Sequence, residues 1–167
     1  WEWLKRIKDE SGLHIPLIGN GDATSPELIQ KMFDETGVDG VMVGRGAIGN
    51  PWIFRDAKHY LATGTLPPPP SWDERISVIQ EHLYLKAEWL GEPKGVLEMR
   101  RMYGGYFKGF RNASFCRQRM MQEKTLTGAL EALESFRALD PDELAEPKGL
   151  VAVSSLPETL EVPFMVD

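Results

Sequence analysis

The order of apolar and polar positions divides the chain into a strand-bearing first part and a helical second part. Residues 15–18 (Ile-Pro-Leu-Ile) form a short apolar run that reads as a buried strand. Residues 38–43 read as a second strand. Their run Gly-Val-Met-Val at 40–43 lacks alternation, as expected of a parallel strand buried on both faces. Between the two, Leu28, Ile29, Met32 and Phe33 recur at helical spacing. Ser25 is the predicted N-cap of that helix, Pro26 its first residue and Gly37 its stop, with Glu27 at the positive end of the dipole. Trp1, Leu4, Ile7 and Lys8 also fall at helical spacing, so residues 1–11 read as the end of a helix. Asn50 is expected to cap a further helix that starts at Pro51 and carries Trp52, Ile53 and Phe54. Strand–helix–strand–helix at this spacing is a βαβα unit.

The run Thr-Gly-Thr-Leu-Pro-Pro-Pro-Pro-Ser at 63–71 breaks any helix and is stiff. It is read as a linker between a first domain at 1–62 and a second at 72–139. Ser71 caps a helix with Asp73 and Glu74 in its first turn and an apolar stripe of Ile76, Ile79, Leu83, Ala87 and Leu90. Gly91 stops it. Further helices are expected at about 94–107, 113–122 and 126–139, the last after a Thr125 cap. Together they make a small bundle with short loops. Residues 140–167 are expected to be a mobile or surface-draped tail.

Each strand ends in glycines and leads into a helix, as a phosphate cradle requires. Glycine lets backbone approach an anion, and a helix N-terminus points free N–H groups at it. The first cradle is Asn20, Gly21 and Asp22. There Asp22 would hold the loop or a sugar-alcohol hydroxyl rather than phosphate; the bland alternative is a plain strand–helix turn. The second is Gly44, Arg45 and Gly46, where a guanidinium stands between two flexible backbone donors. Its alternative is a core turn whose arginine meets a carboxylate such as Asp39. Two such units side by side are what the last two strands of a (β/α)8 barrel give a phosphorylated cofactor. The expected fold class is therefore α/β plus all-α: two C-terminal βα units of a TIM barrel, then a small helical bundle.

Composition adds three points. Among 167 residues the single cysteine, Cys116, excludes an internal disulfide framework and fits a reducing, cytoplasmic compartment. No stretch is apolar for long enough to span a bilayer. The chain opens at Trp1 inside a helical pattern, so it is expected to be a piece of a longer protein.

Net charge is −6, yet the basic residues crowd into one segment. Between Lys94 and Lys124 they include Arg100, Arg101, Lys108, Arg111, Arg117 and Arg119, interleaved with Tyr103, Tyr106, Phe107, Phe110 and Phe115. A basic, aromatic-bearing module on an acidic chain is a nucleic-acid footprint or, alternatively, a solvated helix face over an aromatic core. Arg117 and Arg119 could lower the Cys116 pKa, but no base partner is evident, so a buried thiol is expected. His14, His59 and His82 lack metal-ligand spacing.

Three stretches resemble the tRNA-dihydrouridine synthases of the bacterial type: Ile-Pro-Leu-Ile-Gly-Asn-Gly-Asp at 15–22 followed by Ser25 and Pro26, Gly-Val-Met-Val-Gly-Arg-Gly-Ala-Ile-Gly-Asn-Pro-Trp-Ile-Phe at 40–54, and Glu-Met-Arg-Arg-Met-Tyr-Gly-Gly-Tyr-Phe-Lys-Gly at 98–109 leading to Arg117. The resemblance covers about residues 1–137. It implies an FMN-bearing barrel followed by a helical tRNA-binding domain. It implies reduction of uridine in tRNA to dihydrouridine, with NADPH as reductant, hydride to C6 of a flipped uracil and a proton to C5 from a cysteine. It assigns Asn20, Gly21, Asp22, Gly44, Arg45 and, by extension, Gly46 to the flavin. It sets Arg100, Arg101, Tyr106, Lys108 and Arg117 at, or bracing, the face toward tRNA. Arg101 stands where the family has lysine, and Met102 where it has histidine. The proton-donating cysteine is expected upstream of these residues, so no catalytic residue is assigned and the chain alone is expected to be inactive. Two bare barrel strands would leave an edge and an apolar face, so self-association or pairing with a missing half is expected. Two rival readings are the end of another FMN- or phosphate-binding barrel oxidoreductase, and a stand-alone helical RNA-binding module.

Overall fold

The computed structural model describes residues 1–12, 14–110 and 112–138; the expected tail at 140–167 lies outside the described residues. The elements run α1 (Glu2–Glu10), β1 (Ile18–Asn20), α2 (Pro26–Thr36), β2 (Gly40–Met42), a 3-10 turn (Arg45–Ala47), α3 (Ile53–Thr63), α4 (Trp72–Leu90), α5 (Glu92–Tyr106), α6 (Ala113–Gln122) and α7 (Leu126–Arg137). The described residues are mostly helical, with one small two-stranded sheet.

β1 and β2 are parallel, with Ile18 opposite Gly40, Gly19 opposite Val41 and Asn20 opposite Met42. The first strand lies three residues later than the apolar run predicts. Asp39 accounts for this: its carboxylate accepts from the Leu17 N–H at 2.8 Å and its own N–H donates to the Leu17 carbonyl at 2.9 Å. Those bonds tie the chain together just before the ladder begins. Gly19 sits where any Cβ would fall 2.8 Å from the Met32 sulfur of α2, so the helix presses directly on the strand. The other face is open. Ile18 and Met42 are both more than half exposed, which corrects the expectation of strands buried on both faces: within this sheet α2 covers one side.

α2 matches its sequence signals. Ser25 Oγ accepts from the Leu28 N–H at 3.3 Å, and Gly37 closes the helix at φ 67°. α3 departs from them. Asn50 does not cap it; its amide donates back to the Gly46 carbonyl at 3.3 Å, and the helix begins at Ile53 after a turn. The cause is Trp52, which leaves the strand-side unit and inserts into the helical one.

Two apolar cores result. The first joins Ala23, Ile29, Met32, Val38, Ile53 and Ala57 beneath the sheet. The second is the bundle core, in which Ile76, Ile79 and Leu83 of α4 meet Met99 and Tyr103 of α5 and Leu133 and Phe136 of α7. Ser71 and Thr125 cap α4 and α7 through their hydroxyls as expected. α5 starts two residues earlier than predicted because Pro93 is accommodated in its first turn. Trp72 anchors α4 to the end of α7 by donating its indole N–H to the Phe136 carbonyl at 2.7 Å.

Candidate anion site between the glycine loops and the helical bundle

The two glycine loops lie against each other at one end of the sheet. Gly21 turns at φ 124° and Asp22 at φ 55°, in the left-handed region that asparagine and aspartate tolerate better than other side chains. The Gly21 carbonyl accepts from the Trp1 indole N–H at 2.9 Å, so the first residue of the chain braces this loop. Gly46 makes the approach of the second loop possible. A Cβ there would fall 2.9 Å from the Thr24 Cα and 3.0 Å from the Ala23 carbonyl oxygen. Gly44, by contrast, has open space around it.

Arg45 pairs with Asp22, and both side chains are largely exposed. The sequence alternative for Arg45 named Asp39; that carboxylate is instead taken by Lys8, at 2.6 Å, and by the Leu17 N–H, which together hold its pKa below the usual value. The arginine therefore joins the two loops to each other. An exposed pair of this kind is weak, worth about 0.2–1 kcal/mol, and an anion can exchange for the carboxylate.

Beyond Arg45 a cavity of about 620 Å³ opens between the second loop and the bundle. Thr24, Arg45, Asn50, Arg75 and Lys108 line it together with glycines of both units. Among the described residues, three cations and no carboxylate line it. Its walls are held by a backbone contact: Gly49, at φ 63°, packs on Gly105 of α5 so closely that a Cβ on either would collide with backbone of the other side.

Arg75 is the residue that sequence reasoning missed. Its guanidinium carbon lies 5.0 Å from the Trp52 ring centre and 4.7 Å from that of Phe110. One terminal nitrogen donates to the Tyr106 carbonyl at 3.0 Å, and the buried Nε has no partner among the described residues. Burial pulls its pKa down, partly offset by Glu74, but an arginine stays charged. The available signal was its position, three residues after Trp72 and four before Ile79, on the stripe that α4 turns inward.

The five residues expected at the RNA face differ in exposure and in their partners. Lys108 is exposed and lines the cavity. Arg101 is exposed and pairs with Glu98. Arg100 is half-buried, donates to the Glu123 carbonyl at 3.4 Å and has a buried Nε without a partner. Arg117 is half-buried on α6. Tyr106 is buried, with its hydroxyl hydrogen-bonded to His82 Nδ1 at 2.9 Å, its ring edge-on to Trp52, and its pKa pushed up to about 12 by burial. It braces the cavity wall rather than facing solvent. Cys116 is fully buried and its thiol is pushed up to about 12 by desolvation, so the nearby arginines do not activate it. Among the described residues no cluster of His, Cys, Asp and Glu could hold a metal ion, and no helix is long and apolar enough to cross a membrane.

A parallel βα segment whose glycine loops meet a cation-lined cavity against a helical bundle has the donors and charge that suit an anion. The dihydrouridine synthase (Dus) family model matches residues 1–140, and the chain belongs to that family. It is 44% identical over 107 residues to the tRNA-dihydrouridine synthase B of Xanthomonas campestris pv. campestris, an alignment covering 64% of this chain and 32% of that protein. To the tRNA-dihydrouridine synthase B of Proteus vulgaris it is 35% identical over 136 residues, covering 81% of this chain and 42% of the relative. To a probable tRNA-dihydrouridine synthase of Rickettsia bellii it is 37% identical over 114 residues, 68% of this chain and 34% of the other. The chain thus spans 32–42% of the length of these curated relatives.

Proposed function

We propose that these residues are the cofactor-phosphate and RNA-facing part of a tRNA-dihydrouridine synthase, in which uridine of tRNA is reduced to dihydrouridine with NADPH as the source of electrons. The observation that carries the reading is the meeting of the two glycine loops, through Asp22 and Arg45, at the mouth of a cavity walled by the basic helical unit. β1, α2, β2 and α3 are read as the last two βα units of a barrel, spanning 1–62, with 63–71 as linker and 72–139 as the tRNA-binding bundle. Two cores that share no residue support that division, except that Trp52 of the first segment packs in the bundle core. The exposed row of Ile15, Ile18 and Met42 is the surface that further strands, or a second copy, would cover.

The glycine loops fit an FMN phosphate. Gly44 leaves its backbone open to approach, Gly21 turns its peptide at positive φ, and Arg45 has an exchangeable partner. Asn20, Gly21, Asp22, Gly44, Arg45 and Gly46 would hold the cofactor, which when bound supplies hydride to the uracil ring. This chain's share is to bind and orient. Arg45 neutralises the phosphate. Arg100, Arg101, Lys108 and Arg117 attract the RNA backbone, with Tyr106 bracing them from within. Cys116, buried and protonated, takes no part in proton transfer. Such a protein works where tRNA is, in the cytoplasm.

The test is binding of an unmodified tRNA transcript to the chain across a salt series. The expected log–log slope is about −0.7 to −0.9 per phosphate contact. A flat response overturns the RNA reading. Incubation with FMN, NADPH and tRNA is expected to yield no dihydrouridine; turnover would show that these residues suffice for catalysis.

A further inference from the structure

The cavity holds more positive charge than a single cofactor phosphate at Arg45 explains. Arg45, Arg75 and Lys108 face it with no acidic residue in its wall among the described residues, in a chain of net charge −6. Arg45 belongs to the glycine loop and has Asp22. Neither Arg75 nor Lys108 lies within 4.0 Å of a carboxylate among the described residues. Arg75 has been drawn between two aromatic rings, where a charged group gives up water. A half-buried charge is costly, and the hydrogen bond to the Tyr106 carbonyl and the more distant charge of Glu74 offset only part of that, leaving the buried Nε without a partner among the described residues. Contact with both rings and the bond to the Tyr106 carbonyl limit the guanidinium's freedom, which is the preorganisation that phosphate recognition uses. Lys108 stands at the exposed rim, where an ammonium acts as a point charge.

We propose that Arg75 and Lys108 form a second anion site that takes a backbone phosphodiester of the RNA strand, next to the phosphate held by Arg45. A volume of about 620 Å³ accommodates a sugar and its flanking phosphate rather than a bare ion. Thr24 and Asn50 offer a hydroxyl and an amide to the sugar or the ester oxygens. The Gly49–Gly105 contact holds the wall from the loop and the wall from α5 at a fixed spacing, so the two anion sites keep a constant separation. This assignment rests on the reading that the protein acts on tRNA, and it names where one phosphate of that strand sits.

The experiment uses the whole chain, a fluorescently labelled unmodified tRNA transcript and, separately, FMN. Lys108→Glu is expected to weaken tRNA binding about tenfold and to reduce the salt slope by about one contact. Arg75→Lys keeps the charge but loses the fork, so affinity should fall several-fold with the slope nearly unchanged. Lys58→Glu, an exposed change on α3, should have little effect, and FMN affinity should hold in all three. If wild-type chain binds tRNA and Lys108→Glu binds it equally well, the phosphodiester site is overturned while the RNA reading stands. If FMN affinity falls and tRNA affinity does not, the cavity belongs to the cofactor and the assignment is likewise overturned. Failure of wild-type chain to bind tRNA at all overturns the underlying reading and the site with it. Lys108 is solvent-exposed, so its variant folds and the test survives even if Arg75→Lys does not.

Discussion

Gly49 and Gly105 touch backbone to backbone, and this contact joins the loop after β2 to the second half of α5. A Cβ on Gly49 would collide with the Met102 carbonyl and lie 2.8 Å from the Tyr106 nitrogen; one on Gly105 would collide with the Ile48 carbonyl. Alanine at either position must push two backbone segments apart, and at Gly49 it must also hold φ near 63°. Each substitution should cost about 2 kcal/mol or more. Gly104→Ala, one residue away with open space around it, should be neutral or stabilise by up to about 1 kcal/mol. Urea melts of the three variants check the contrast, and equal stability of all three would remove the contact from the account.

The Asp22–Arg45 pair separates stability from binding. Both side chains are largely exposed, so Asp22→Asn or Arg45→Gln should change unfolding free energy by less than about 1 kcal/mol. Arg45→Gln should nevertheless weaken FMN binding about tenfold, since a charge-assisted bidentate contact is lost. Thermal melts and flavin-fluorescence titration of the same samples read the two effects.

Alkaline pH should destabilise the bundle. Burial raises the Cys116 thiol from 9.0 to about 12 and the Tyr106 hydroxyl from 10.0 to about 12, with Tyr103 raised in the same direction. In each case the folded state keeps a proton that the unfolded chain releases. Their contribution is therefore complete below pH 9 and is lost progressively as pH rises from 9 towards 12. His82 runs the other way. Its pKa is lowered by burial and by Lys86, so stability falls as pH drops below 6.5. Urea midpoints between pH 5 and 11 should form a dome. A thiol reagent at pH 7.5 should label Cys116 only on unfolding, and rapid labelling of native protein would contradict its burial.

Trp52→Ala should cost about 3–5 kcal/mol, the range for emptying an aromatic core position. Its indole donates to Glu74 at 2.8 Å and its ring meets both Tyr106 and Arg75. Trp52→Phe should recover most of the packing and lose only the hydrogen bond, about 1 kcal/mol. Denaturant midpoints distinguish them.

Local signals proved readable where the physics is local. The Ser25, Ser71 and Thr125 caps follow from side chains acting on their own backbone, and the Gly37 stop from glycine's access to positive φ. What the sequence hid is tertiary. The start of α3 shifted because Trp52 finds its partners twenty to fifty residues away. Arg75 looked like one more helix-surface cation, and only the fold shows Trp52 and Phe110 closing on it. Tyr106 and Lys108 are two residues apart, yet one is buried and the other exposed; the turn at the end of α5 separates them. The sequence offers Arg45 a carboxylate such as Asp39, but Leu17 and Lys8 hold that group and Arg45 meets Asp22 instead.

Trp52 and Ile53 are neighbours in the chain but belong to different cores. The seam between the two halves of the molecule therefore runs through one peptide bond at the head of α3, well before the proline run that looks like the natural place to cut. A polypeptide begun at residue 72 would be missing the indole that fills its own interior, and one ended at residue 62 would carry that indole into solvent. For swapping helical units between relatives, an exchange point in the glycine loop ahead of Trp52 keeps the indole with its bundle but takes Ile53 and Ala57 from the other core, so the two halves are best exchanged together.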